Sequence, residues 1–325
     1  MAQLPFSQAA LHVPARLLAA VLALGLGGSQ MQAQIQTQMQ APGTAASPSG
    51  PAAGAPASGS PAAESDDAWL KKTGSLYYSS AKSGLDGFDC AVHPDWRTLF
   101  RSAGNGSASQ PAMADGDARL LLLETVKINL HAHMHGGSTL DWTQDPHAAE
   151  PLDDNASALL AKMRQTTEQT LEGFLQFWTP FVDGSIVPES AAGLAITHTG
   201  TLHTIHAEQG DTALTETFSS DLHLEHFDVK MSGISIKFQP DYQPSGQGLL
   251  VKSFEAHVQP AGVPPDQAEE MHVEIEYQTL EGFPIPSRLN MEVANTGNFS
   301  FVLDGCTVSR LQKPEPANVV RPALQ

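Results

Sequence analysis

The sequence predicts an α+β protein that is mostly β: a large curved antiparallel sheet covered by one long amphipathic helix. Three observations carry this expectation. After Ala192 the chain alternates apolar and polar residues in many short stretches, the pattern of strands with one buried face. The connections between these stretches are short and rich in turn residues, which favours antiparallel neighbours. Only one stretch, Asp153–Phe181, repeats its apolar residues every three or four positions as a helix does.

The first 33 residues are not domain material. Arg16 precedes the apolar run "LLAAVLALGL", which is too short to span a bilayer, and small and polar residues follow. This is the pattern of a secretory signal peptide cleaved after Ala33, with no cysteine nearby to carry a lipid anchor. Residues 34–65 are rich in Gln, Pro, Ala, Gly and Ser. They hold too little apolar surface to offset the entropy of ordering and read as a disordered linker. One folded domain is expected over 66–310, with a flexible tail over 311–325.

Removing residues 1–33 takes away Arg16 and no carboxylate, leaving 16 Lys and Arg against 35 Asp and Glu, a net charge of −19. Such a chain repels phosphate backbones, so nucleic-acid binding is disfavoured. The export signal implies a periplasmic or extracellular location. The two cysteines, Cys90 and Cys306, are an even count in an oxidising compartment and are expected to pair; two buried free thiols are the alternative.

Taken in chain order, "DDAWLKKTGSLYYSSAKSG" has an acidic start and a short helical look, and Ser102–Asp117 reads as a loop. Leu120–Met134 alternates in parity and is expected to be a strand, with Thr125, Lys127, Asn129, His131 and His133 on its polar face. A three-residue loop His135-Gly136-Gly137 would pair apolar with apolar residues and set His131 opposite Asp141. The helix follows, with capping candidates Asp153, Asp154 and Asn155. Its face is Leu159, Met163, Thr167, Thr170, Phe174, Phe177 and Phe181, and Pro180 marks its exit. Strands are then expected at Leu194–Glu208, Thr212–Ser219, Leu222–Phe238, Leu249–Gln259, Met271–Leu280, Pro284–Val293 and Phe299–Val308. The third changes phase twice, implying a bulge or bend at each change, the second near Gly233.

Chemistry-bearing patterns are sparse. His131 and His133 lie two residues apart on one strand face and could chelate one zinc ion, completed by Asp141 or His147; an exposed polar strand face is the plainer reading. "LHLEHFD" lacks the helical His-Glu-x-x-His spacing of a metalloprotease. His198, His203 and His206 divide between the two sheet faces. There is no nucleophile-elbow or phosphate-loop motif, and the expectation is that the protein is not an enzyme and carries no cofactor.

One stretch resembles a family. In "EYQTLEGFPIPSRLNMEV", Glu276–Val293, a strand ends at Leu280, Gly282 turns, and Pro284 and Pro286 open the next strand. Proline lacks an N–H and suits a strand start or edge. This turn and the strands beside it are similar to the closing hairpin of the periplasmic lipoprotein carriers, by motif over 276–308 and by pattern over about 115–310. The resemblance implies a half-barrel-like sheet around an apolar cavity that holds a lipid or a lipoprotein acyl chain. Inward residues of the helix and late strands would line it: Phe174, Phe177, Phe227, Ile234, Ile236, Phe238 and Phe254. The chain departs from the carriers in its long N-terminal extension, its cysteine pair and its shortage of lid helices. An apolar-ligand binder, monomeric and without a transmembrane segment, is thus the leading expectation. A metal-binding protein using the His-x-His pair and a surface or periplasmic protein-interaction module are the alternatives.

Overall fold

The computed structural model describes residues 64–103, 117–134, 137–144, 154–183, 186–231, 233–264, 267–294 and 297–311. The expected signal peptide, nearly all of the linker and the C-terminal tail lie outside them, as do His135 and His147. The protein is one open sheet of twelve antiparallel strands with five helices among the described residues.

Short polar caps start the early helices. In α1 (Asp66–Gly74) the Ser65 hydroxyl accepts from the Ala68 N–H, Asp66 and Asp67 occupy the first turn, and Lys71 and Lys72 the last. Each charge opposes the helix-end partial charge beside it. A four-residue helix α2 (Ser80–Ser83) leads into β1 (Leu85–Pro94) and α3 (Trp96–Ala103). Then come α4 (Ala118–Glu124), β2 (Val126–His133), β3 (Gly137–Gln144) and the 29-residue α5 (Asp154–Val182). The meander is β4 (Ala195–Thr199), β5 (Leu202–Gln209), β6 (Thr212–Ser219), β7 (Leu224–Met231), β8 (Ile234–Ser245), β9 (Gly248–Pro260), β10 (Glu269–Leu280), β11 (Phe283–Val293) and β12 (Gly297–Arg310).

The strand order is β3-β2-β1-β12-β11-β10-β9-β8-β7-β6-β5-β4. The β1–β12 ladder therefore carries the N-terminal strands on the last strand of the meander. The disulfide Cys90–Cys306 crosses that ladder, so the expected pairing is present.

Several expectations are corrected in detail. The strand expected from Leu120 begins only at Val126, and Leu120–Leu123 belong to α4. Four consecutive leucines carry no alternation, and Asp117 caps the helix by accepting from the Arg119 N–H at 2.9 Å. The β2–β3 register pairs His131 with Thr139, and Asn129 with Asp141. This is two residues from the expected register, so both keep apolar residues opposite apolar ones and the pattern does not discriminate between them. Met134 decides it by leaving the strand: it is buried and its N–H donates to the Asp86 carbonyl at 2.9 Å. The expected strands Leu194–Glu208 and Leu222–Phe238 are each two strands, turned at Gly200 and Gly233, both at positive φ. The first phase change is a bulge: Thr217 pairs with His226 but Phe218 with Leu224. Pro284 and Pro286 pair only with β10, because the β11–β12 ladder starts at Arg288.

α5 crosses one face of the sheet. Its first half lies against β3, where Arg164 sits 5.9 Å from the Trp142 ring centre, and its last turns lie on β7–β9. At about 1.5 Å per residue it is roughly 43 Å long, more than the ~29 Å of six inter-strand steps from β3 to β9. The helix is thus long enough to reach across the apolar face from β3 to β9. Every residue of its expected face is buried except Leu159, which is partly buried and packs against the core. The helix runs two residues past Pro180 to Val182.

The segment after α1 docks on the first residues of β9. Leu249 donates to the Leu76 carbonyl at 2.7 Å and Tyr78 donates to the Leu249 carbonyl at 3.0 Å. Gly248 makes this approach possible. Its φ is +125°, and a Cβ there would stand 2.8 Å from the Tyr77 carbonyl carbon and the Tyr78 nitrogen. Gly248→Ala is expected to destabilise the fold by about 1–3 kcal/mol through backbone strain and to free the Leu76–Tyr78 segment. Hydrogen exchange at the Tyr78 amide, faster in the variant, checks it.

Candidate ligand-binding site

The apolar face of the sheet is built from cross-strand rows. One runs Ile205, Glu216, Phe227, Phe238, Ala256, Met271, Val293 over β5 to β11, each residue opposite the next. Alternation places all of them on one side, the buried one. From the helix, Phe177 meets Phe238 at 5.3 Å between ring centres, and Phe181 stacks on Phe254 at 5.9 Å. Phe181 also meets Phe227 at 6.4 Å, and Phe227 meets Phe238 at 5.8 Å. These spacings are those of attractive edge-on and offset ring pairs.

Of the seven apolar candidates from the sequence, Phe174, Phe177, Phe227, Ile236, Phe238 and Phe254 are buried in this core, and Ile234 is partly buried beside the β7–β8 turn. They pack against one another and the helix. Trp178 fixes the helix orientation: its Nε1–H donates to the Tyr277 hydroxyl at 2.9 Å, which donates onward to the Val251 carbonyl at 2.6 Å. Phe181, on the expected helix face, Trp178 and Tyr277 belong to this cluster although they were not among the seven cavity candidates.

Glu216 is the exception in the row. It is 2% exposed, among apolar neighbours, and its Oε2 has no hydrogen-bond partner. Burial pushes its carboxyl well above the usual range, because the charged form has lost its water. Two phenols feel its charge, Tyr77 and Tyr242, whose rings meet edge-on at 5.2 Å. The Tyr77 hydroxyl donates to the Leu222 carbonyl at 2.9 Å and accepts from the Leu224 N–H at 2.6 Å. It thereby clamps the β6–β7 turn, where Leu222 takes a φ of +65°. The Tyr242 hydroxyl is buried without a partner. Tyr77 also reaches a surface pocket of about 430 Å³, lined besides by Gly74, Tyr78, Ser79, Lys82 and Gln247. None of the seven apolar candidates lines it.

The histidine pair is arranged differently from the expectation. The His131 Nδ1 lies 2.6 Å from Asp89 on β1, its direct cross-strand neighbour, and its Nε2 lies 3.3 Å from Asp141. The Asp89 hydrogen bond, with Asp141 beside it, holds the imidazole above its usual range. Both ring nitrogens face carboxylates, and His133 does not join them. Among the described residues no group of three or more His, Cys, Asp or Glu side chains is placed to hold a metal ion. The proposed His131, His133 and Asp141 ligand set is therefore not assembled; the site is an ion-paired histidine on the outer sheet face. His198 and His203 lie at the other edge, 2.6 Å apart between their Nδ1 atoms, with Asp66 at 3.2 Å from the His198 Nε2. They tie α1 to β4 and β5.

Together these features define a mostly β protein whose longest described helix lies on a ring-filled sheet face with a buried acid at its margin. No described helix is long and apolar enough to cross a membrane. Comparison with family models, with curated proteins and with solved structures finds no significant match.

Proposed function

We propose that this is an exported, non-catalytic binding protein that holds an apolar ligand, a lipid or a lipoprotein acyl chain, between α5 and the sheet. In this reading the sheet is a curved half-barrel and α5 its lid, as the resemblance of Glu276–Val293 to the lipoprotein carriers implies. The ring cluster of Phe177, Phe181, Phe227, Phe238 and Phe254 carries the proposal. Register shifts in the β6–β7, β8–β9 and β10–β11 ladders support curvature, since an extra residue bends a strand.

Magnitudes decide how such a site works. A chain of about sixteen carbons gains roughly 13 kcal/mol on leaving water, at ~0.8 kcal/mol per methylene. Exposing five buried phenylalanines costs a similar amount, roughly 8–15 kcal/mol. Full separation of helix from sheet would cancel the gain. The rings must instead repack around the chain while α5 moves outward by about one chain width.

Affinity for saturated chains of about twelve to sixteen carbons is therefore expected to tighten roughly fourfold per added methylene. Titration calorimetry of the mature protein with alkyl glycerols of increasing length measures it. Affinity independent of length would remove the proposal.

A further inference from the structure

We infer that Glu216 with Tyr77 and Tyr242 is the head-group station of that apolar site, and that it selects a ligand with a neutral hydroxyl or amide head. The inference rests on the apolar-ligand reading and names the ligand class it would take.

The placement is specific. Glu216 is the one acid in the row Ile205–Glu216–Phe227–Phe238, directly beside the rings proposed to hold the chain. A chain lying over Phe238 and Phe227 ends at its carboxyl. The Glu216 Oε2 and the Tyr242 hydroxyl are both buried and without partners. An unpaired buried polar atom has lost its water without replacement, and two at one margin of a ring cluster leave unused hydrogen-bonding capacity. A ligand head that supplies both a donor and an acceptor satisfies them.

The sign of the head follows from burial. The neutral carboxyl donates one hydrogen bond and accepts others, and a phenol does the same. An anionic head would meet an acid and two phenols, with no cation among the groups acting on Glu216, Tyr77 or Tyr242. A cationic head would require Glu216 to ionise in an apolar row, and burial opposes that. Neutral heads avoid both penalties.

The way in is also marked. Tyr77 separates the surface pocket from the β6–β7 turn that it clamps through Leu222 and Leu224. Tyr242 is partly exposed as a residue, although its hydroxyl is buried. Swinging the Tyr77–Tyr242 pair apart opens the pocket toward Glu216.

The test compares two probes of equal chain length, 1-monopalmitoylglycerol and hexadecyl phosphate, on the mature protein and on Glu216→Gln, Glu216→Leu and Tyr242→Phe. The native protein is expected to prefer the glycerol head by about tenfold or more, since one net hydrogen bond of ~1.4 kcal/mol is a factor of ten. Glu216→Gln keeps the preference. Glu216→Leu and Tyr242→Phe reduce it to about twofold or less, with the hexadecyl chain still bound. Both remove unpaired polar atoms, so both are expected to fold. An undiminished preference in Glu216→Leu and Tyr242→Phe, or no preference in the native protein, overturns the head-group station and leaves the chain site standing. No binding of either probe by the native protein overturns both.

Discussion

Replacing Cys90 and Cys306 together with alanine is expected to lower the unfolding free energy by about 5 kcal/mol. The two residues are 216 positions apart. Releasing a loop of that length returns a large conformational entropy to the unfolded chain, and the dependence is logarithmic, so the figure is insensitive to the ends chosen. The location adds a structural consequence. The bridge crosses the β1–β12 ladder, through which β1, β2 and β3 join the nine-strand meander. β3 in turn lies under the first half of α5. Without the bridge, the N-terminal strands and the helix start are held to the meander by hydrogen bonds and packing alone. Urea unfolding of the native protein and the double variant checks this through the shift in midpoint. A difference below about 1 kcal/mol would place the bridge outside the stability of the fold.

Glu216→Gln is expected to stabilise the protein at neutral pH and to flatten its pH dependence. Burial raises the folded-state pKa of Glu216 well above the ordinary glutamate value of 4.5. In the unfolded chain the group ionises near that value. Between the two, the folded state holds a proton that the unfolded state has released. Stability is therefore greatest below the unfolded pKa and falls as pH rises toward the folded one, by up to about 1.4 kcal/mol per pH unit. Glutamine has the same shape and no such proton. Glu172, raised by burial and then by Glu168, and His131, raised by Asp89, slope in the same direction. Both remain in the variant, so the difference between the two profiles isolates Glu216. Parallel profiles from pH 5 to 8 would show that the carboxyl is solvated in the native protein.

The sequence carried the fold class further than it carried the site. Alternation and turn residues located β6 to the residue and most of the later strands to within two, because a half-buried strand writes its burial directly into parity. Elements without that signature were lost. β1, "LDGFDCAVHP", is buried at Leu85, Phe88, Cys90 and Val92. Its order breaks parity between Leu85 and Phe88, where a register shift falls between Leu85 and Gly87. Missing β1 meant missing Asp89, the direct partner of His131, and so the histidine pair looked available for metal. Tyr242 was hidden for another reason. "QPDYQPSGQG" reads as a turn, but β8 runs through it to Ser245, with a register shift between Asp241 and Tyr242. Glu216 was legible. In "TALTETFS" it shares parity with Leu214 and Phe218, which places a carboxyl on the apolar face. What parity does not tell is whether a buried acid finds a partner, since that depends on strands far along the chain.

Native mass spectrometry of the mature chain, purified from a bacterial periplasm, shows whether an apolar ligand occupies the space between α5 and the sheet. An added mass matching a chain-bearing lipid is expected, released when the ring cluster is opened by Phe238→Asp. A disulfide-bonded chain of bare mass, unchanged after incubation with phospholipid vesicles and with monoacylglycerol, would contradict it.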